Sequence, residues 1–404
     1  MMSKLFLFGF IVTLLAVGYV YFDSQTEQEY LSGQYAHDFV TASNEEDFIF
    51  EEEVLYDEVE KINHVPTPDV VKAIYMTACV LASPNFRQDL LQLIEQTEIN
   101  SVVIDIKDYT GTISFKTDNP KIYGAHHGTG CQARDAKEFI KELHKRNVYV
   151  IGRVSVFQDN VMTKLRPDLA VKRASDGGVW KDYKGISFID VGAQEHWDYT
   201  VDISKEAHAI GFDEINFDYI RYPSDGNMRD ILYVHSDGDK KAEELEKFFA
   251  YLYEELKDTG IVTSADLFGM VTTNTDDLNI GQVLERALPY FDYIAPMVYP
   301  SHYPSGFNGW ANPNHYPYEL IYFVMKSAVD RVELFRNNPE IPDDLRERVG
   351  TRQLRTWIQD FNYGGTYGPK EVRAQIDASI AAGVPSFMIW APSNRYTRAA
   401  LLDN

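Results

Sequence analysis

The chain has 404 residues, 45% of them hydrophobic, which is enough for one large domain with a full core or for two medium ones. Its 61 acidic residues outnumber 38 basic ones, giving a formal charge of -23; such a chain repels nucleic-acid phosphates and anionic lipid, so a nucleic-acid partner is not expected. The 26 tyrosines within a 13% aromatic content fit either a large packed core or a cleft whose flat rings stack on sugars.

Residues 5–22, LFLFGFIVTLLAVGYVYF, form one uncharged apolar run after Lys4, close to the ~20 residues that span a bilayer. No Ala-x-Ala-like cleavage site follows in Val17–Asp23, so residues 1–23 are expected to be an uncleaved signal-anchor rather than a removed signal peptide. Lys4 ahead of the run and acidic residues behind it place the bulk of the chain outside the cytoplasm, single-pass at the cell membrane, or secreted if the segment is cleaved. Residues 24–68 read as an acidic spacer: no Lys or Arg occurs between Asp23 and Glu60, and Glu45–Asp47 and Glu51–Glu53 are charge clusters. The two cysteines, Cys79 and Cys131, fit one disulfide in an exported protein or two separate buried thiols equally well.

From about Val70 strands alternate with amphipathic helices. Strand patterns occupy Val70–Thr77, Ser101–Lys107, Val148–Phe157, the stretch within Gly211–Pro223, Ile261–Phe268, Tyr290–Tyr299, Leu354–Phe361 and Pro385–Ala391. Helix patterns follow near 85–96, 136–145, 193–210, 241–256, 280–288, 318–337 and 370–382, with a short terminal one. Eight such β-then-α units predict a (β/α)8 TIM barrel over residues 69–404. A doubly wound open sheet is the alternative, but the turn after the first strand, Ala78–Pro84, lacks the glycines that such sheets place there.

Parallel strands buried on both faces normally read as continuous apolar runs. The fourth strand does not. Ile215, Phe217 and Tyr219 face one way, and Asn216 and Asp218 the other. The same period of two points Asp105 and Lys107, Arg153 and Ser155, Ser264 and Asp266, Met297 and Tyr299, Gln359 or Asp360, and Met388 and Trp390 toward the interior. All lie toward the carboxyl ends of their strands, where barrels of this kind place their chemistry. Carboxylates, cations and large aromatics converging on one mouth fit glycosidic-bond hydrolysis. That reaction needs one carboxyl to protonate the leaving oxygen and one carboxylate to meet positive charge at the anomeric carbon. Nearby cations keep one carboxylate ionised, while burial holds the proton on the other.

Each residue also has a purely structural reading. Asp218 could serve only as the ion-pair partner of Arg153 or Arg221, Asp266 as a turn cap, and Asp105 and Lys107 as partners of each other. Glu214 sits one layer lower and is expected to be structural. His126 and His127 have no third ligand at recognisable spacing, so no metal is expected. Phosphate-loop, zinc-protease and serine-hydrolase motifs are lacking, and no cofactor is expected.

The segments Ala73–Thr77, Val103–Gly111, Gly211–Gly226, Ser264–Gly269 and Tyr293–Tyr303, in this order, resemble the glycoside hydrolase domain family DUF4015 over about Lys72 to Thr397. The resemblance implies a TIM barrel related to retaining glycosidase barrels whose nucleophile is an Asp ending strand four, the position of Asp218. Their acid is usually a Glu ending strand five, where this chain has Asp266, one methylene shorter. The reading is a membrane-anchored, extracytoplasmic glycosidase acting on a poly- or oligosaccharide. Asp218 is nucleophile or charge stabiliser and Asp266 is acid/base. Arg153 and Arg221 tune Asp218. Asp105, Lys107 and Asp360 bond sugar hydroxyls, and Tyr299 and Trp390 stack on sugar rings. A non-catalytic glycan-binding barrel and a surface scaffold using the acidic spacer are the rival readings.

Overall fold

The computed structural model describes residues 62–404. The expected membrane helix and the acidic spacer up to residue 61 lie outside the described residues.

Eight parallel strands close into a barrel. They are β1 (Lys72–Met76), β2 (Ser101–Lys107), β3 (Tyr149–Ser155), β4 (Glu214–Asp218), β5 (Val262–Phe268), β6 (Tyr293–Met297), β7 (Thr356–Gln359) and β8 (Phe387–Trp390). Each pairs with its neighbours in sequence, and β8 closes on β1 through Phe387 opposite Lys72. The crossovers carry α1 (Pro84–Glu95), α2 (Ala136–Lys145), α3 (Gln194–Ile210), α4 (Lys241–Leu256), α5 (Leu284–Ala287), α6 (Pro317–Asn337) and α7 (Pro369–Ala381). Apolar stripes dock these helices on the strands: Phe139, Ile140 and Leu143 of α2 are buried at helical spacing. Gly211 ends α3 at φ 122°, where a Cβ would lie 2.8 Å from Ile140; only glycine tolerates both the angle and the approach. The helix of the fifth crossover is shorter than the 280–288 pattern predicts. Leu278, Asn279 and Gly281 all take left-handed backbone angles, so the chain is still turning where a helix would start. Among the described residues no helix is long and apolar enough to cross a membrane.

Two apolar layers result. One lies between strands and helices. The other fills the barrel, with Val71, Ala73, Val103, Ile151, Ala295 and Met388 among its members. Glu214 sits low in this inner layer, fully buried, where Arg355 Nη1 donates to both its oxygens at 2.7 and 2.8 Å and the Tyr149 hydroxyl donates at 2.9 Å. At the N-terminal face, residues 64–67 cross the barrel floor: Asp213 accepts from the Val65 amide at 2.9 Å and from His64 and His144, and Thr67 bonds to Tyr149.

At the opposite face the loops are long. The β3–α3 loop packs its own small core of Val171, Trp180 and Phe188. A two-residue antiparallel ribbon, Lys172–Arg173 with Ile231–Leu232, ties it to the β4–α4 loop. Cys79 and Cys131 form a disulfide across 52 residues, with their Cα atoms 4.9 Å apart. It joins the turn after β1 to the β2–α2 loop, a closure worth roughly 2–4 kcal/mol against the unfolded chain.

Candidate active site

Arg153 of β3 organises the carboxyl ends of the neighbouring strands. Its Nε donates to Asp218 Oδ2 at 3.0 Å, and its Nη2 bonds the same oxygen. Its Nη1 donates to Asp105 Oδ1 at 2.7 Å, and the other oxygen of Asp105 accepts from the Tyr75 hydroxyl. Asp266 Oδ2 lies 3.7 Å from the same Nε. One buried cation therefore faces three carboxyl groups, all at most 5% exposed at the side chain.

The environments of Asp218 and Asp266 differ. Asp218 receives two guanidinium N–H groups and, on Oδ1, the Tyr219 amide at 2.5 Å. Tyr219 reaches this position because its backbone is left-handed, φ 51°, a strained conformation for a bulky residue and of the kind that clusters at functional sites. Asp266 is 1% exposed. Its Oδ1 accepts from Asn216 Nδ2 at 2.9 Å and Trp357 Nε1 at 2.7 Å, while Oδ2 has no hydrogen-bond partner among the described residues. Burial and the charge of Asp218 push the Asp266 carboxyl well above the usual carboxylate range, against the pull of Arg153, Asn216 and Trp357. Burial likewise raises Asp105, against Arg153 and Tyr75.

A cavity of about 230 Å³ opens on this pair. Of the residues singled out in the sequence, Arg153, Asp218, Arg221, Asp266, Tyr299 and Trp390 line it. Trp390 lies over the Arg153 guanidinium at 5.2 Å and stacks on Tyr75 at 4.1 Å. Arg221 does not contact Asp218; its Nη1 bonds the Tyr222 carbonyl and Ser224 Oγ. Larger grooves exist, including one of about 710 Å³ at the barrel floor. Its charged groups are already joined as Lys72–Glu98 and Arg146–Glu95 pairs, so it lacks the free convergent groups of a reaction site.

Two expected sugar ligands do not reach the cavity, and a third stands behind it. Lys107 is turned away by a bulge: Asp105 pairs with Arg153, but Lys107 pairs with Val154, so the alternation breaks between them. Its ammonium is buried against Asp159 Oδ2 at 2.6 Å and the Val156 carbonyl at 3.2 Å. Asp360 follows β7 on the outward side. It accepts from the Thr397 amide and hydroxyl, both at 2.7 Å, and fastens the C-terminal segment. Asp105 supports Arg153 rather than lining the cavity.

The structure also brings in residues that the sequence reading passed over. Trp357 holds Asp266 and lines the cavity; counting back two from Gln359 finds it. Tyr75 follows from the same count on β1. Phe268 and His302 also line the cavity; His302 ends a short turn, Pro300–His302, where no periodicity marks it. Tyr219 lines it too, against the count of two that puts it on the face opposite Asp218, because the left-handed backbone there breaks the strand alternation. Among the described residues no group of three or more His, Cys, Asp or Glu side chains is arranged to hold a metal ion; His126 bonds the Asn119 carbonyl instead.

Comparison with solved structures finds barrels of the same fold. The PgaB (BpsB) glycoside hydrolase domain from Bordetella bronchiseptica aligns with a TM-score of 0.54 at 13% identity, over 82% of this chain and 99% of its own. Alpha-L-fucosidase isoenzyme 2 from Paenibacillus thiaminolyticus aligns with a TM-score of 0.51 at 13% identity, over 82% of this chain and 47% of its own. A hypothetical protein from Ruminiclostridium thermocellum ATCC 27405 is 31% identical over 51% of this chain and 98% of its own, with a TM-score of 0.43. At such identities the first two likenesses establish the fold alone. Curated protein sequences give no match. The family described as "Putative glycosyl hydrolase domain" (DUF4015) matches residues 73–396, which contain every residue of the cavity, and the chain belongs to that family.

Proposed function

We propose that this protein hydrolyses O-glycosidic bonds of a poly- or oligosaccharide, with Asp266 as general acid/base and Asp218 as nucleophile or charge stabiliser. The observation that carries the reading is the pair itself: two buried carboxyls on adjacent strands beside one guanidinium nitrogen, with burial and the charge of Asp218 holding the proton on Asp266. Asp266 carries a proton in the range where an ordinary carboxyl has lost it, and delivers it to the leaving oxygen. Asp218, fixed by Arg153 and the Tyr219 amide, meets the positive charge that grows at the anomeric carbon. The shared nitrogen supports the short spacing, about 5–5.5 Å, of retaining enzymes over the wider one that admits a water. Asp105 and Tyr75 act on the reaction through Arg153. Trp390 and Tyr299 offer ring faces to the sugar.

The disulfide supports an oxidising compartment. It accords with a barrel held outside the cytoplasm by residues 1–23, which we propose as its location. A second reading, a glycan-binding barrel without turnover, is favoured by one observation: Asp266 is an Asp with 1% exposure, short for an acid that must reach a glycosidic oxygen. Incubating the protein with a panel of cell-wall and storage glycans, and scoring both retention and new reducing ends, separates the two. Release of reducing ends supports hydrolysis. Retention without release favours the binding barrel and sinks the hydrolase assignment.

A further inference from the structure

Building on the hydrolase reading, we propose that the sugar accepted by this cavity carries an anionic substituent, a carboxylate or a sulfate ester, held by Arg221. The cations buried in and around the barrel are otherwise matched: Lys107 with Asp159, Arg153 with Asp218 and Asp105, Arg355 with Glu214. Arg221 breaks that pattern. It stands three residues beyond Asp218 on the loop leaving β4 and lines the same cavity. It is partly buried. Its Nη1 donates only to neutral oxygens, the Tyr222 carbonyl at 3.0 Å and Ser224 Oγ at 3.1 Å. Among the described residues it joins no ion pair. The carboxylates of Asp218, Asp182 and Asp225 act on it through space without bonding it.

Among the described residues the Nε and Nη2 groups have no hydrogen-bond partner. They form one edge of the planar fork, the edge that meets a carboxylate or sulfate with two parallel N–H···O bonds. The Tyr219 ring packs against the guanidinium, 5.0 Å from its carbon, and the two bonds from Nη1 fix its plane. A partly desolvated cation with a free, oriented donor edge is unfavourable until an anion fills it. Its position beside Asp218 places that anion on the sugar at the cleavage site or on the next ring. The chain's overall charge of -23 opposes polyanions at long range, but charges more than about 8 Å apart are largely screened at physiological salt.

The test uses matched glycan pairs at physiological ionic strength: oligogalacturonate against its methyl ester, and sulfated against desulfated galactan oligosaccharide. Reducing-end release and calorimetric Kd are both measured. The expected result is that wild type favours the anionic member of one pair by at least about tenfold, as a charge-assisted bidentate bond would give. The pair that responds tells carboxylate from sulfate. Arg221→Gln should bring the ratio close to one, and Arg221→Lys, which keeps charge but not the fork, should restore part of it. Equal handling of both members by wild type, a preference that survives Arg221→Gln, or no binding of any anionic member overturns the proposal. Release from neutral members alone overturns it while leaving the hydrolase reading intact. A preference seen in Kd with no release anywhere keeps the anion site and removes the hydrolase reading.

Discussion

Replacing Asp266 by Asn separates its chemistry from its place in the fold. Asn is isosteric, and its Oδ1 still accepts from Asn216 and Trp357. What disappears is the transferable proton. General acid catalysis contributes about 10²–10⁴-fold, so kcat/KM on an unactivated glycoside should fall by that factor, ~3–5 kcal/mol of barrel-site transition-state stabilisation. A dinitrophenyl glycoside, whose leaving group departs without a proton, should lose about tenfold or less. The pH profile follows from the raised carboxyl. Wild type should keep its rate while Asp266 holds its proton and lose it as pH rises through the folded value. The variant should lack that alkaline limb on the activated substrate.

Stability should move the opposite way. A carboxyl that binds its proton more tightly when folded than when unfolded contributes its full stability below the unfolded value, about 3.9. That contribution is lost as pH rises toward the folded value. Once pH has risen through the folded value, wild type holds a buried carboxylate whose Oδ2 has no hydrogen-bond partner among the described residues, a deficit of about 1–3 kcal/mol. Asn removes it. The variant should melt higher than wild type on the alkaline limb, by roughly 1–4 °C for a domain of this size, with a smaller difference at pH 4. Kinetics with both leaving groups across pH, and thermal melts under both conditions, are the assays. Undiminished turnover of the unactivated glycoside, or a lower melting temperature on the alkaline limb, would refute the reasoning.

Three further outcomes follow. Trp357→Phe removes a donor that pulls Asp266 downward, so the alkaline limb of the rate profile should move to higher pH; an unmoved limb would separate Trp357 from the acid. Glu214→Gln leaves Arg355 buried without its counter-charge and should reduce unfolding free energy by about 3–5 kcal/mol, read by denaturant titration, while the folded fraction keeps its kcat. Lys107→Met strands Asp159 in the same way; stability should drop with KM unchanged, and a rise in KM would return Lys107 to the sugar.

The barrel was readable because each strand carries its own alternation or apolar run and each helix its own stripe. The inward polar set of Arg153, Asp218 and Asp266 followed from a count of two. The count failed where the backbone departs from it. The bulge after Asp105 turned Lys107 outward, and no residue type in Ile104–Asp108 announces a bulge. At β7, four residues long, the alternatives Gln359 and Asp360 could not be ranked from so short a run. That Arg153 would gather three carboxyls was beyond the sequence, because it depends on the lateral order of β2, β3, β4 and β5.

The central claim is that Asp218 performs the chemistry. On whichever glycan yields reducing ends with wild type, turnover by Asp218→Asn should be compared after its fold is verified by circular dichroism and melting. The account predicts a loss of about 10⁴-fold or more in a protein that still folds and retains the glycan. Turnover within tenfold of wild type would contradict it and move the reaction away from the β4 carboxylate.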